Sequence, residues 1–276
     1  MKNSLIRLSV LLVACVLVFT ACSAAPVSKS GVFVNNTIAG TDKTEYVICV
    51  SKNAPMAAEL MASINKIIGA TDLNALTAEY QQVGKFRRDD PAEKYDLSTA
   101  TETIDVYTTV FEPYQFSGAY GNGVDGMDVI LLFDVAHDLN VKLTFHDELY
   151  PNAYSGAKDG GNAILATGIA LTDTVKNDFL VSDVYSTGYQ QIVSDKNQNY
   201  TKLEQLKGMQ IGVLVGRTGE TLVKQAIESG VLKGTGAEIV VFNTDAEAEY
   251  GLKNEMCDVL VIDELSANLI AGRSAK

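Results

Sequence analysis

Apolar residues near the front of the chain follow first the period of a strand and then the period of a helix. "EYVICV" predicts a buried strand, and "PMAAELMASINKIIG" after it repeats apolar positions every three to four residues. Asn53 is predicted to cap this helix, Gly69 to end it, and Thr71 to cap a second short helix. A charged stretch over residues 85–102 follows and is typical of a linker.

The rest of the chain alternates apolar strands with amphipathic helices. Strands are predicted at "TIDVYTTV", "VKLTFH", "NAILAT", "QQIVS", "MQIGVL", "AEIVVF" and "CDVLVI". One of the helices between them, near residues 152–159, is predicted to be broken by glycine. Strands that alternate with helices indicate parallel or mixed sheets covered on both faces. Because this many strands suits two small sheets, we predict an α/β fold of two lobes with a cleft between them.

Composition and charge narrow the class of protein. The chain has 276 residues, of which 47% are hydrophobic and 20% charged, and this is a normal globular composition. The formal net charge is −12. A chain this acidic is not expected to replace the counterions of a phosphate backbone, so no nucleic-acid partner is predicted.

The first thirty residues carry a targeting signal. Lys2 and Arg7 form a basic region before an apolar run over residues 8–19, which is too short to span a bilayer. The run ends in "FTACS", so residues 1–22 are predicted as a lipoprotein signal peptide with Cys22 as the lipidated residue and residues 23–30 as a tether. Two alternatives stay open: Cys15 in "LVAC", and ordinary secretion with Cys22 as a bystander. We expect a bacterial extracytoplasmic protein held at the cell membrane by its lipid.

The remaining cysteines and the glycine motifs indicate no cofactor. Cys49 and Cys257 lie in apolar strand patterns and are predicted to be buried thiols, and no metal-ligand spacing appears. "GNGVDG" over residues 121–126 satisfies a dinucleotide pattern, but ten residues separate it from the strand ending at Val110. A glycine-rich hairpin is predicted there. "GVLVGRTGET" is predicted to open a helix whose N-terminus is able to bind an anion.

Five segments in this order carry a resemblance to a known family: "FEPYQF", "GMDVILL", "GIALTDTVKNDFLVSDVYS", "GVLVGRTGE" and "CDVLVID". From about residue 104 to residue 271 the chain resembles the amino-acid-binding receptors of ABC importers, the bacterial extracellular solute-binding proteins of family 3. The resemblance implies a type II periplasmic-binding-protein-like fold, a monomer whose two lobes close on a small ligand, and an ABC permease as partner.

The order of segments departs from that family. In the family the last strand is followed by an amphipathic helix and a short final helix, and residues 45–84 resemble that ending moved to the front. A circular permutation is therefore predicted; the alternative is an unrelated N-terminal extension. Lobe 1 would comprise residues 45–186, including the linker 85–102, and lobe 2 residues 187–276 with 31–43. The hinge is expected near residues 42–44 and 186–189.

The resemblance also places a pocket. It implies aromatic contacts from Phe111, Tyr114 and Tyr150, and polar contacts near the end of a strand from Thr167 and Gly168. Ala170 stands where the family has serine or threonine. In lobe 2 the Thr218 backbone N–H would meet a carboxylate, and Asp263 would pair with an ammonium. Two alternatives remain: the aromatic residues belong to the core, and Asp263 caps the helix that begins at Glu264.

One departure concerns the ligand carboxylate. The family motif T-x-x-R supplies an arginine for it, but "LTDTV" places Val175 there, beside Lys176. We hypothesise that Arg217, together with the Thr218 backbone, holds the acidic end of the ligand; the alternative is that Arg217 points to solvent.

The sequence thus predicts a lipid-anchored binding component of an ABC importer that captures an amino acid or related small amine. Two alternative functions stay open: an enzyme similar to cyclohexadienyl dehydratases, and a sensor for a signalling partner. The enzyme is disfavoured because the only obvious pocket carboxylate, Asp263, would be occupied by the amine, so no catalytic residue is predicted. The identity of the ligand is not predicted.

Overall fold

The computed structural model describes residues 30–82, 96–117 and 123–276. The predicted signal peptide with Cys22, the tether up to residue 29, and much of the predicted linker lie outside these residues. The strands are β1 (Phe33–Thr37), β2 (Thr44–Ser51), β3 (Thr103–Thr108), β4 (Phe116–Ser117), β5 (Val124–Asp125), β6 (Lys142–Asp147), β7 (Ala163–Ala170), β8 (Phe179–Val181), β9 (Ser186–Gly188), β10 (Gln190–Asp195), β11 (Gln210–Leu214), β12 (Glu238–Phe242) and β13 (Val259–Asp263).

Helices connect most of these strands. In the described part of the chain they are α1 (Ala57–Ala70), α2 (Leu73–Tyr80), α3 (Met127–Leu139), α4 (Tyr150–Asp159), α5 (Asp173–Asp178), α6 (Thr218–Glu228), α7 (Asp245–Lys253) and α8 (Glu264–Ser274), with one 3₁₀ turn at Leu203–Leu206.

A six-stranded sheet in the order β6-β3-β7-β2-β8, with β9 also paired to β2, forms what we call lobe 1 together with its helices. Strand β2 runs antiparallel to both β7 and β8. Its side chains are buried on both faces: Tyr46 and Ile48 join the apolar cluster under α1 and α3, whereas Val47 and Cys49 join the one under α4. The first strand of this sheet in chain order, β2, is therefore an interior strand. The run "YVICV" suits that place because every side chain in it tolerates burial.

A five-stranded sheet in the order β1-β10-β13-β11-β12 forms lobe 2 with its helices. Strand β11 is parallel to β12 and β13, whereas β10 is antiparallel to β1 and β13. The backbone N–H of Phe33 in β1 donates to the Ser274 hydroxyl at the end of α8 at 2.8 Å. The mixed α/β fold with two lobes, which the sequence predicts, is confirmed.

Within the described ranges the chain passes between the two sheets twice. One passage lies between β1 and β2, and the other lies between β9 and β10. Because β9 pairs with β2, residues 187 and 188 lie on the sheet of lobe 1, two residues beyond the boundary that the sequence predicts. The two passages lie close together, since Thr37 pairs with Gln191 at one end and Thr44 pairs with Gly188 at the other.

The predicted helix caps were wrong by a few residues. Helix α1 begins after Met56 rather than at Asn53, and the Met56 backbone N–H donates to the side chain of Asn162 at 3.0 Å. Gly69 lies inside the last turn, since the helix continues to Ala70. The capping side chain is thus supplied from a distant segment, and local sequence does not contain that information.

Two further local predictions have clear outcomes. Asp72, not Thr71, caps α2 and accepts from the Ala75 N–H at 3.0 Å. Helix α4 runs unbroken through Gly156, where a Cβ would come within 2.3 Å of the Tyr107 ring. That glycine allows close packing rather than breaking the helix.

Strands β4 and β5 pair antiparallel, as a hairpin requires, although residues 118–122 between them are outside the described part. Cys49 and Cys257 are both buried. In the described ranges no helix combines the length and apolarity needed to cross a membrane. Nor does this part of the chain contain a group of three or more His, Cys, Asp or Glu side chains placed to hold a metal ion.

Candidate functional site

The side chain of Arg217 crosses from lobe 2 into lobe 1. Arg217 directly precedes α6 and is only 7% exposed. Its Nη1 donates to the carbonyl oxygens of Thr167 at 2.7 Å and Gly168 at 3.2 Å, and its Nη2 donates to the Thr167 hydroxyl at 3.2 Å. The guanidinium therefore grips the end of a lobe 1 strand with several hydrogen bonds, and it does not point to solvent.

Two aromatic rings of lobe 1 contact the same guanidinium. The Cζ atom of Arg217 lies 3.9 Å from the ring centroid of Phe111 and 4.8 Å from that of Tyr150. Both separations are within the range of a cation–π interaction, which is strongest where water is excluded. We call Phe111, Tyr150, Thr167 and Gly168 the clamp.

Two glycines allow the clamp to assemble. Gly168 has a φ of +59°, and a Cβ there would come within 2.5 Å of the Tyr114 ring and 2.9 Å of the Phe111 ring. Gly216 has a φ of +71°, and a Cβ there would lie 2.2 Å from the Tyr150 ring. Both positions combine a left-handed backbone with a close approach, and glycine alone meets both demands without strain.

Buried carboxyl groups surround the clamp. Asp128 accepts from the Gly168 N–H at 2.9 Å and from the Tyr185 hydroxyl at 2.5 Å. Burial raises the pKa of Asp128 to about 7, although these two donors and the Arg217 charge oppose the rise. Burial likewise raises the pKa of Asp245 to about 6. Burial lowers the pKa of Arg217, and the charges of its neighbours, Asp245 and Asp128 among them, act in the opposite direction.

Asp263 forms a second group at the boundary between the lobes. It ends β13, and its Oδ1 accepts from the Tyr46 hydroxyl of lobe 1 and from the Gln190 side-chain amide, the latter at 2.8 Å. Burial raises the pKa of Asp263 to about 7. Asp263 occupies the N-cap position of α8, but its side chain makes no capping hydrogen bond. The capping alternative therefore lacks the hydrogen bond that it requires.

A series of aromatic rings joins the Asp263 group to the clamp. The ring of Tyr46 lies 5.0 Å from that of Tyr114, which stacks on Phe111 at 5.3 Å. The Tyr114 hydroxyl lies 3.2 Å from the Ser186 hydroxyl in β9. Phe111 and Tyr114 are fully buried, so both are core residues, and Phe111 also contacts the guanidinium of Arg217.

The other predicted residues lie around this region with less direct contacts. Thr218 is the first residue of α6 and is half-buried, while Ala170 ends β7 opposite Tyr46. The Gly216 N–H, just before α6, donates to the Glu220 carboxylate at 2.6 Å. The same carboxylate accepts from the Lys224 ammonium at 2.6 Å, so its charge is paired within α6.

Val175, at the position of the family arginine, packs into the apolar interior of lobe 1 with Phe179 and Cys49. Lys176 beside it is exposed. The helix α5 that carries both residues therefore presents no cation to the clamp from position 175.

Sequence reasoning missed several members of the site. Asp128 had a signal, since it is a lone carboxylate in the apolar run "GMDVILL". Tyr46 and Gln190 had none, because each lies in an ordinary apolar strand. Gln190 meets Asp263 through the pairing of β10 with β13, and Tyr46 meets it through the contact between the two lobes. Asp245 resembled a helix-start residue and is instead fully buried, accepting from the Glu112 N–H at 2.9 Å.

Comparison with known families identifies the chain. The model of the bacterial extracellular solute-binding proteins, family 3, matches residues 104–260, which is more than half of the chain. The chain belongs to this family. Its members are binding proteins, which supports the prediction of a binder over the dehydratase alternative and places the family outside the cytoplasm.

Individual relatives agree with the assignment to family 3. The chain is 27% identical over 167 residues to a probable histidine-binding protein of Neisseria gonorrhoeae, and the match spans 60% of this chain and 60% of that protein. An ancestral arginine-binding protein bound to arginine superposes with a TM-score of 0.54 at 28% identity, over 63% of this chain and 75% of the other. The holo arginine-binding protein of T. maritima, at 23% identity and a TM-score of 0.54, shares the fold.

Proposed function

We propose that the protein is the lipid-anchored extracytoplasmic binding component of an ABC importer and captures an amino acid or related small amine between its two lobes. One observation carries the proposal: the clamp holds a guanidinium with two carbonyl oxygens, one hydroxyl and two aromatic rings. These groups are acceptors and π faces, and such a set is suited to a cation.

The charge around the cleft supports a ligand with a positive group. Asp128, Asp245 and Asp263 are buried there, and Arg217 is the buried cation among them. An amine that neutralises a buried carboxylate relieves part of the cost of burying it. Asp263 is the proposed partner of the amine, because its carboxylate faces the boundary between the lobes instead of capping α8.

The relatives narrow the chemical class of the ligand. One is described as a probable histidine-binding protein and another as an arginine-binding protein. Both of those ligands carry an α-amino group and a basic side chain. Amino acids and amines with a cationic end are therefore the first ligands to test.

We also propose that the chain is a circular permutation of the family fold. The family model begins at residue 104, yet β2, at residues 44–51, is an interior strand of lobe 1. Strand β1 meets the end of α8 through the hydrogen bond from Phe33 to Ser274. The sequence places the lobes at residues 45–186 and residues 187–276 with 31–43, and the pairing of β9 with β2 moves the end of the proposed lobe 1 to residue 188.

The permutation is tested by restoring the family order. A chain with residues 96–276 followed directly by residues 30–82 should fold cooperatively with the same far-ultraviolet circular dichroism spectrum. The join is short because Ser274 and Phe33 are already in contact. Aggregation of this chain, with the original order folding normally under the same conditions, would contradict the proposal.

The binding function is tested by a thermal-shift screen of the full chain against amino acids, amines and small peptides. A ligand that binds only the folded state raises the melting temperature by mass action. Hits are then measured by calorimetry and by small-angle scattering, where a bridging ligand should keep the protein compact. If no amino acid or amine in the screen binds either the wild-type chain or the Arg217→Ala variant, the proposed function is wrong.

A further inference from the structure

The clamp belongs to lobe 1, but the cation inside it belongs to lobe 2. Arg217 stands at the start of α6, whereas Phe111 follows β3, Tyr150 begins α4, and Thr167 lies in β7. Every hydrogen bond from its guanidinium to the clamp therefore joins the two lobes. The contact is nearly dry, with Arg217 7% exposed and Phe111 and Thr167 fully buried.

A buried guanidinium is held at such a place only if its charge and its donors are satisfied. Arg217 has five N–H donors in a planar fork, and three hydrogen bonds to Thr167 and Gly168 are formed. The π faces of Phe111 and Tyr150 stabilise the guanidinium charge, which water would solvate if Arg217 were exposed. The site is thus complementary to a guanidinium in shape, polarity and hydrogen-bond geometry, and its occupant is a side chain of the same protein.

We propose that Arg217 is a built-in occupant of the clamp, which latches the two lobes together and competes with any ligand whose cationic end needs the clamp. This inference rests on the proposed function, because it concerns how a cationic solute gains access to the same site. It differs from the hypothesis that Arg217 holds a ligand carboxylate, since the guanidinium donors point to carbonyl oxygens of the chain itself.

A tethered competitor lowers apparent affinity without touching the ligand. The effective concentration of a side chain fixed beside its site reaches the millimolar range or more, and a free ligand binds only in the fraction of molecules whose site is open. Removal of Arg217 should therefore strengthen the binding of guanidinium compounds. A residue that grips the ligand would show the opposite result.

The test uses the full chain and four proteins: the wild type, Arg217→Ala, Arg217→Gln and Lys176→Ala. Arg217→Gln keeps most of the side-chain volume and is a second variant in case Arg217→Ala fails to fold. Circular dichroism checks that both Arg217 variants are folded. Lys176→Ala removes one positive charge from an exposed site and is the matched control. Agmatine, arginine and citrulline are titrated by calorimetry; citrulline has nearly the shape of arginine but no charge on its side chain.

We expect agmatine and arginine to bind the Arg217 variants at least tenfold more tightly than the wild type or Lys176→Ala, and citrulline to gain less than either. Small-angle scattering should show the variants expanded without agmatine and compact with it, while the wild type stays compact throughout. These results together establish the latch.

Other outcomes overturn the latch. If the Arg217 variants bind no guanidinium compound, the clamp is not a guanidinium site, whether or not other amino acids bind the wild type. If arginine binds the variants more weakly than the wild type, Arg217 contacts the ligand and the proposed function survives without the latch. The proposed function itself fails separately, when nothing in the screen binds any of the four proteins.

Discussion

The Tyr46 hydroxyl donates a hydrogen bond to the Asp263 carboxylate, and this bond joins an interior strand of lobe 1 to the last strand of lobe 2. Both residues are almost fully buried. The bond is one of several polar contacts across the boundary, together with Arg217 in the clamp and Arg273 beside Glu112. Substitutions that remove these contacts should alter how the lobes associate.

Tyr46→Phe should destabilise the protein and loosen the contact between the lobes. The substitution removes one of two donors to a buried carboxylate, which costs about 1–3 kcal/mol of unfolding free energy. Urea denaturation measures the loss, and small-angle scattering measures the expansion. Tyr154→Phe is the matched control, because the Tyr154 hydroxyl donates to Asp178 at 2.8 Å within lobe 1. A similar expansion in both variants would contradict the role of Tyr46 between the lobes.

Stability should fall as the pH rises toward neutrality. Burial raises the pKa of Asp263 and of Asp128 to about 7, from an ordinary value of 3.8. The folded state therefore binds these protons more tightly than the unfolded chain, so their stabilising contribution is complete below about pH 4 and is lost as the pH rises to about 7. Each group contributes at most about 1.4 kcal/mol per pH unit within that window.

Asp263→Asn isolates the contribution of one group. The variant should lose less unfolding free energy than the wild type between about pH 4 and pH 7, and the two curves should run parallel above that range. Urea denaturation at a series of pH values gives both curves. Parallel curves over the whole range would show that Asp263 does not titrate in this window.

Arg273→Gln should weaken the association of the lobes. Arg273 in α8 pairs with Glu112 of lobe 1 at 2.5 Å and with Glu249 of lobe 2 at 2.7 Å. Its loss leaves two partly buried carboxylates without this cation, at a cost of about 1–3 kcal/mol. Lys253→Gln is the control, since it removes only an (i, i+4) pair with Glu249, worth about 0.3–0.5 kcal/mol. Equal losses of stability in the two variants would argue against a role for the Glu112 contact.

Gly216→Ala should displace Tyr150 from the clamp. A Cβ at this position would lie 2.2 Å from the Tyr150 ring, and the φ of +71° adds strain of about 1–2 kcal/mol. Gly234→Ala carries the same strain, with a φ of +69°, but meets no atom within 4 Å. We expect Gly216→Ala to cost about 1–3 kcal/mol more than Gly234→Ala in thermal or urea unfolding. Equal costs would mean that Tyr150 moves aside freely.

Much of the fold follows from local pattern. The strand "YVICV" is apolar at consecutive positions, and that pattern favours an interior strand buried on both faces, as β2 is. The segments that carry the resemblance to the family span most of the region that the family model matches. The helix caps were harder to predict, because the Met56 N–H donates to the side chain of Asn162, more than a hundred residues away in the chain.

The site, like the fold, was predicted from the sequence only in part. The sequence by itself determined that Phe111, Tyr150, Thr167 and Arg217 are candidates for one pocket, because each occupies a position that the family resemblance or a helix start marks out. Only the tertiary structure decided that the guanidinium of Arg217 lies inside the clamp and that Tyr46 and Gln190 meet Asp263. The physical reason is that strand pairing and the closure of two lobes set these contacts, over separations along the chain that no local pattern encodes.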